Sequence, residues 1–295
     1  MEDLPSLLDS WLLRMRAERK SPDTRKSYAD GVRAFLSWCA AEGIDPVLDE
    51  PTVTAWTAAL LDEGKTPNTV IARLKGVRRF SAWLAGQDEI PRDELTGIKA
   101  PKADEPVVPD LTAAQLAALL ATCKGKEFHN VRDRAIIRFM TETAARASEV
   151  IHMEKPDVNL AAGLGIIRRG KGGAGRAVPF SPQCGAAIDD YLRLRKRHRL
   201  ASTPALWLGE GGRGLAYAGL YASLQRRGEA AGMPDMHPHR LRHTGAVRWL
   251  KKGGSPTGLM AVAGWTSLDM LRRYIKAAES DLAAEESRRL DLGDF

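Results

Sequence analysis

Four short segments, spread over half the chain, place in order the side chains that a metal-free attack on a phosphodiester needs. In such a reaction the pentacoordinate transition state carries extra negative charge on its non-bridging oxygens. Guanidinium groups suit those oxygens because they stay charged and present a flat, two-pronged fork. A nucleophile must be held in line, and the departing oxygen needs a proton. Thr143-Ala144-Ala145-Arg146-Ala147-Ser148-Glu149-Val150 offers an arginine just past an apolar helical pattern. Gly170-Lys171-Gly172-Gly173 offers a lysine at the tip of a glycine-rich turn. His239-Arg240-Leu241-Arg242-His243 sets a histidine and an arginine three apart, on one side of a helix start. Gly264-Trp265 is followed nine positions later by Tyr274, a hydroxyl nucleophile.

Taken singly, each of these residues has a plainer reading. Arg146 could be a surface or capping arginine, and Lys171 a solvated turn lysine. His239 and His243 could be satisfied core or helix-start histidines. Their i,i+4 spacing also permits a metal, but the glutamate of a His-Glu-x-x-His site is missing and no third ligand stands out, so no metal site is expected. Trp265 and Tyr274 could be core aromatics on amphipathic helices. The glycine-rich turn lacks the Lys-Ser/Thr ending and following helix of a P-loop. Only the ordered set favours one shared site.

Two domains are expected to carry that set. The chain has 295 residues, 44% of them hydrophobic, which suits two modest cores. Over the first hundred residues four apolar stripes recur at helical spacing. They are Leu4 to Met15, then Tyr28 to Cys39 after the start signal Ser21-Pro22, then Val53 to Leu60, then Val70 to Leu84 after Thr66-Pro67. Gly97, Pro101, Pro106 and Pro109 break the pattern, so 97–109 reads as a semi-extended linker between domains 1–96 and 110–295. Helical patterns resume over Leu111–Cys123 and from Val131 to about Thr143. Leu164–Arg168 and Arg176–Phe180 read as a β-hairpin, Asp189–Arg199 as helix, and Ala205–Leu208 as a third short strand. The remainder reads as helix, ending in a charged tail.

Composition bounds the partners. The formal charge is +7, compatible with a polyanion but also with no such partner at all. Cys39, Cys123 and Cys184 are few and far apart, and read as reduced thiols rather than a disulfide framework or zinc site. No secretory leader is visible at Met1-Glu2-Asp3, and no run of about 18 apolar residues could span a bilayer. The expectation is a cytoplasmic protein without a membrane partner.

With these motifs the chain resembles the tyrosine recombinase, or phage integrase, family. The resemblance runs from about residue 110 to 285 and rests on Thr-x-x-Arg-x-Ser-Glu, the Gly-Lys-Gly hairpin before Arg-x-Val-Pro, His-x-Leu-Arg-His, and the Gly-Trp to Tyr spacing. It implies a mainly α protein with an N-terminal helical, SAM-like, core-binding domain. A mixed α+β catalytic domain with a small antiparallel sheet and a C-terminal tail helix would follow. Tyr274 would attack the scissile phosphate, form a 3′-phosphotyrosyl link and release a 5′-hydroxyl, with recombination passing through a Holliday junction. Arg146 and Arg242 would clamp the phosphate, His239 would assist proton transfer, and Lys171 would protonate the leaving oxygen. Trp265 would bond the phosphate or pack beside the tyrosine, with Glu149 and His243 as supports. Neither metal nor ATP would be needed, because the ester energy is kept in the phosphotyrosine.

The resemblance also implies a C-shaped clamp on duplex DNA attachment sites, a homotetramer in the synaptic complex, and room for a recombination directionality factor. Because the helical domain starts within the first few residues, the expectation is a core-only, simple integrase serving viral genome integration. The alternative is an Xer-type chromosome-dimer resolvase. A type IB topoisomerase and a non-catalytic DNA-binding regulator are more distant rivals. Lys65, Asn68, Thr69 and Arg73 at the start of the fourth helix are expected to contact a DNA groove, and Arg25, Lys26 and Lys75 are also expected to bind DNA. Arg193, Arg195, Lys196, Arg197 and Arg199 read as a solvated helix face. Leu282, Leu290 and Leu292 in the tail would suit docking on a neighbouring subunit, or packing on their own domain. Two positions depart from the family pattern. Ala144 stands where glycine is usual, in backbone that alanine dislikes, and is expected to be accommodated. Trp265 stands where histidine is commoner, which makes the chain look less Xer-like.

Overall fold

The computed structural model describes residues 3–103, 109–168, 175–209 and 214–290, apart from the side chains of 273, 276–282, 284, 285 and 289. The chain divides into two compact units, Met1–Pro106 and Val107–Phe295.

The first unit is built on four helices: α1 (Leu4–Ala17), α2 (Pro22–Glu42), α3 (Glu50–Asp62) and α4 (Pro67–Ala85). Each of the last three begins with proline in its first turn, behind a cap whose side-chain oxygen accepts a backbone N–H: Ser21 from Thr24, Asp49 from Thr52, Thr66 from Thr69. The predicted apolar stripes form the core, where Trp11 packs on Phe80 and Phe35 meets Trp56 edge-on at 5.4 Å. Leu95 and Ile98 are still part of this core, so the chain leaves it after Ile98.

The second unit runs α5 (Ala113–Ala121), α6 (Phe128–Thr143), α7 (Ala147–Ile151), β1 (Val158–Asn159), β2 (Leu164–Ile167), β3 (Arg176–Pro179), α8 (Pro182–Arg195), α9 (Tyr217–Ala230), α10 (Pro238–Lys251), α11 (Pro256–Ala263) and α12 (Leu268–Leu290). The mainly helical protein with a small antiparallel sheet is the fold expected from the sequence. In that sheet β2 lies between β1 and β3, with Val158 opposite Gly165 and Ile167 opposite Arg176. The third strand is therefore β1 and not Ala205–Leu208, which makes only isolated bridges. The reason lies in who satisfies its backbone. Arg195 donates to the carbonyls of Ala201, Thr203, Ala205 and Leu206, and the Tyr191 hydroxyl bonds the Leu206 carbonyl and the Leu208 N–H. With those groups taken by side chains, no ladder is needed. Arg195 is accordingly buried, 3% exposed, instead of lying on a solvated face. Lys196, Arg197 and Arg199 lie beyond the end of α8, which leaves Arg193 as the exposed arginine on that helix.

Two helix contacts frame α10. It crosses α6 at Gly245, where an added Cβ would press on the Thr141 carbonyl, so the two backbones nearly touch. α12 packs along α10 within the same chain through Leu271 and Tyr274. Leu290 is exposed, while the Leu282 side chain and Leu292 lie outside the described residues. Among the described residues no helix is long and apolar enough to cross a membrane.

Candidate functional site

The end of α6 sets the first arginine. After Thr143 the chain turns through Ala144 in the left-handed region, φ 49° and ψ 26°, in the backbone expected from its place in the motif. Thr143 ties the turn down, its hydroxyl bonding the Phe139 carbonyl and accepting from the Ala145 N–H. Arg146 then caps α7. Glu149, one turn into that helix, accepts from the Arg146 N–H at 2.8 Å and from its Nη1 at 2.9 Å. The Arg146 side chain remains 24% exposed.

α10 supplies the second arginine and both histidines. Arg242, 3% exposed, donates Nη1 to the Ala144 carbonyl at 2.5 Å and Nη2 to the Ala263 carbonyl at 3.0 Å. Burial pushes its pKa down to about 10, aided by the charge of Arg146 and opposed by Tyr274 and Glu149. It remains a cation at neutral pH. His239 is exposed at the helix start, and its pKa is lowered by partial desolvation and then by Arg242, His237 and His243. The ring is therefore biased towards its neutral, proton-accepting form at neutral pH.

The C-terminal end of α11 draws these groups together. Gly264 closes the helix at φ 65°, and the chain turns into Trp265. Trp265 stacks on Tyr274, ring centroids 4.5 Å apart, and the Arg242 guanidinium lies 5.5 Å from the Trp265 ring centre. The His243 ring also lies against Tyr274, its centroid 5.1 Å away. The indole N–H of Trp265 is buried and has no hydrogen-bond partner among the described residues. Trp265 thus packs beside the tyrosine.

The structure thus brings Arg146, Glu149, Arg242, His243, Trp265 and Tyr274 into one cluster, with His239 at its rim. Lys171 falls in 169–174, outside the described residues. One member of the cluster is absent from the residues expected there. Arg176, at the start of β3, grips both oxygens of Glu149 at 2.9 and 2.6 Å. Its place in the Arg-x-Val-Pro motif was the available signal, but nothing in the sequence said which acid it would meet. The Glu149 carboxylate is penalised by burial, yet hydrogen bonds from Arg176 and Arg146 outweigh this and hold its pKa below the usual range.

In the first unit, Lys26, Asn68, Thr69 and Arg73 line one groove between α2 and α4, together with Asp23 and Asp30. The acids dilute its charge, and Lys26 is already paired with Asp30 at 2.6 Å. Thr69 shares its hydroxyl with Thr66, and Lys65 lies 4.0 Å from Glu63. Arg25 is half-buried. Lys75 lines a separate groove with Arg78 and Arg79. Of the seven expected contacts, four therefore share one groove and Lys75 lines another.

A model of the phage integrase family matches residues 109–281. Tyrosine recombinase XerC of Staphylococcus aureus is 29% identical over 169 residues, covering 57% of this chain and 56% of that protein. Tyrosine recombinase XerC of Chlamydia pneumoniae is 30% identical over 192 residues, covering 64% of this chain and 60% of the relative. The chain thus spans less than two thirds of the length of these curated relatives. A solved structure of the Tn1549 transposon integrase, in complex with transposon right end DNA, has a TM-score of 0.74 at 19% identity, covering 97% of this chain and 99% of that one. That last likeness is one of fold.

Proposed function

The chain belongs to the phage integrase family, and on that premise we propose that it breaks and rejoins duplex DNA through a covalent bond to Tyr274. The observation that carries this reading is the cluster itself. Tyr274, stacked on Trp265, shares a site with two arginines that have, among the described residues, a single bonded carboxylate between them, Glu149.

In the proposed reaction Arg146 and Arg242 bind the non-bridging oxygens of the scissile phosphate and stabilise the charge that builds there. His239 handles the proton on the attacking side, and its lowered pKa keeps it able to accept one at neutral pH. Tyr274 attacks phosphorus, the phosphorus–O5′ bond breaks, and Lys171 gives its proton to the departing oxygen. The resulting 3′-phosphotyrosyl ester retains the bond energy, so a second 5′-hydroxyl can reverse the step and join a different strand. A tetramer on two sites would carry this through a Holliday junction. The grooves on α2 and α4 would contribute phosphate contacts from the first unit, with affinity falling as salt rises.

Two biological roles fit this chemistry: integration of a mobile element between different sites, and Xer-type resolution. The two XerC relatives favour the second, against the expectation drawn from Trp265. The test uses nicked suicide duplexes, obtained by selecting from a randomised pool those that the wild-type protein links covalently. Wild type should form a denaturation-resistant protein–DNA adduct and Tyr274→Phe none. Equal adduct from both would sink the assignment. Recombination between two copies of one selected site, and not between different sites, would support the resolvase role.

A further inference from the structure

Three arginines meet at the C-terminal end of α11, and the proposed reaction uses only two. The successive carbonyls of Val262, Ala263 and Gly264 accept from Arg176 Nε at 2.6 Å, Arg242 Nη2 at 3.0 Å and Arg146 Nη2 at 3.4 Å. A helix end of this kind has orphan carbonyls and the negative pole of the helix dipole, so it suits cations. The third arginine does more than fill space there. While Nε holds the Val262 carbonyl, its two terminal nitrogens fork onto Glu149, Nη1 to Oε1 and Nη2 to Oε2. Each Glu149 oxygen therefore has two donors, one from Arg176 and one from Arg146.

Resting on the reading of Arg146 as a phosphate clamp, we propose that Arg176 is a positioning residue that holds Glu149 away from a full pairing with Arg146. A guanidinium and a carboxylate close naturally into a two-bond fork. Arg176 occupies that fork, so Arg146 gives Glu149 a single side-chain bond and keeps its exposed edge for substrate. Without Arg176 the buried carboxylate, 2% exposed, would have Arg146 as its sole cation in contact among the described residues and would draw it inward. Arg176 also bears on the path to the nucleophile. A Cβ on Gly264 would lie 2.8 Å from Arg176 Nη1, so the turn into Trp265 is packed on the same guanidinium. Its own side chain is 11% exposed and is committed to Glu149 and Val262.

The experiment compares wild type, Arg146→Ala, Arg176→Met and Arg176→Lys on the selected suicide duplex. The scissile position carries either phosphate or a methylphosphonate. The methyl group removes one charged non-bridging oxygen, so the transition state asks for less cationic help. Arg176→Met should slow adduct formation about 100-fold on phosphate, the scale of a misplaced catalytic group, without a matching loss of DNA affinity. On methylphosphonate most of that loss should disappear, as it should for Arg146→Ala. Arg176→Lys keeps the charge and loses the fork, so it should lose about tenfold with the same rescue. It carries the test if thermal melting shows the methionine variant unfolded. Wild-type rates in both variants, or equal losses on both substrates, would overturn the proposal and leave Arg176 as a structural staple. Absence of adduct with the wild-type protein would instead bring down the functional reading, and this inference with it.

Discussion

Ala144 holds a left-handed conformation with a buried methyl, and replacing it by glycine sets two opposed effects against each other. Relief of the Cβ clash is worth roughly 1–2 kcal/mol. Against it stand the lost burial of one methyl, about 0.8 kcal/mol, and the greater freedom of glycine in the unfolded chain, about 0.4–1 kcal/mol. The two sides nearly cancel, so Ala144→Gly should lie within about 1 kcal/mol of wild type. Ala145 is the control. It is fully buried, its φ is not positive, and Ala145→Gly incurs both losses with no relief, about 1–2 kcal/mol. Calorimetry of the whole protein should then show the second unit's transition lowered by about 2–4 °C per kcal/mol in Ala145→Gly, and little moved in Ala144→Gly. Equal shifts would refute the claim that Ala144 is strained. Because glycine keeps the carbonyl that Arg242 binds, adduct formation should survive in Ala144→Gly.

Glu149→Gln should destabilise the protein at neutral pH. A carboxylate whose folded pKa lies below its unfolded value contributes stability that is complete above the unfolded pKa and lost as pH falls through the folded one. The difference in unfolding free energy between wild type and variant should therefore be flat from neutrality down to about pH 5 and shrink below about pH 4.3; a difference that grows in acid would contradict this. His239 should titrate below the ordinary histidine value of about 6.5 in the DNA-free protein, read from its ring C–H resonances. A midpoint above that value would mean that a carboxylate, and not partial burial and the neighbouring cations, governs the ring.

The sequence showed the parts of the site better than their wiring. Arg146, Arg242 and Tyr274 were readable because their motifs fix type and order, and the four apolar stripes of the first unit followed helical period directly. Ala205–Leu208 misled because a short apolar run is also what a buried loop looks like when an arginine and a tyrosine satisfy its backbone. Arg195 was misplaced for the same reason: charge spacing does not reveal that a carbonyl-rich loop folds over a helix end. Neither could the Arg176–Glu149 fork be read, since the partners are 27 positions apart and the packing of β3 against α6 and α11 brings them together. Of the basic and polar candidates in the first unit, Arg73 and Lys75 are two positions apart on α4, yet helix geometry turns them onto different grooves.

The wiring explains how a buried cluster can stay cationic. Had Arg146 and Arg242 each been held by an acid, their charge would have been cancelled before a phosphate arrived. Arg242 is instead held by two main-chain carbonyls, whose dipoles orient a guanidinium without neutralising it. The cost appears in its pKa of about 10, lowered by burial and by Arg146, yet still far enough above neutrality for the charge to persist. Glu149 is the one acid bonded to these arginines among the described residues, and it is shared between Arg146 and Arg176. One carboxylate among three guanidiniums leaves an excess of positive charge facing Tyr274. In the proposed reaction a phosphodiester entering that field would supply the counter-charge the fold withholds, and the extra charge of its transition state would gain more from it than the ground state does.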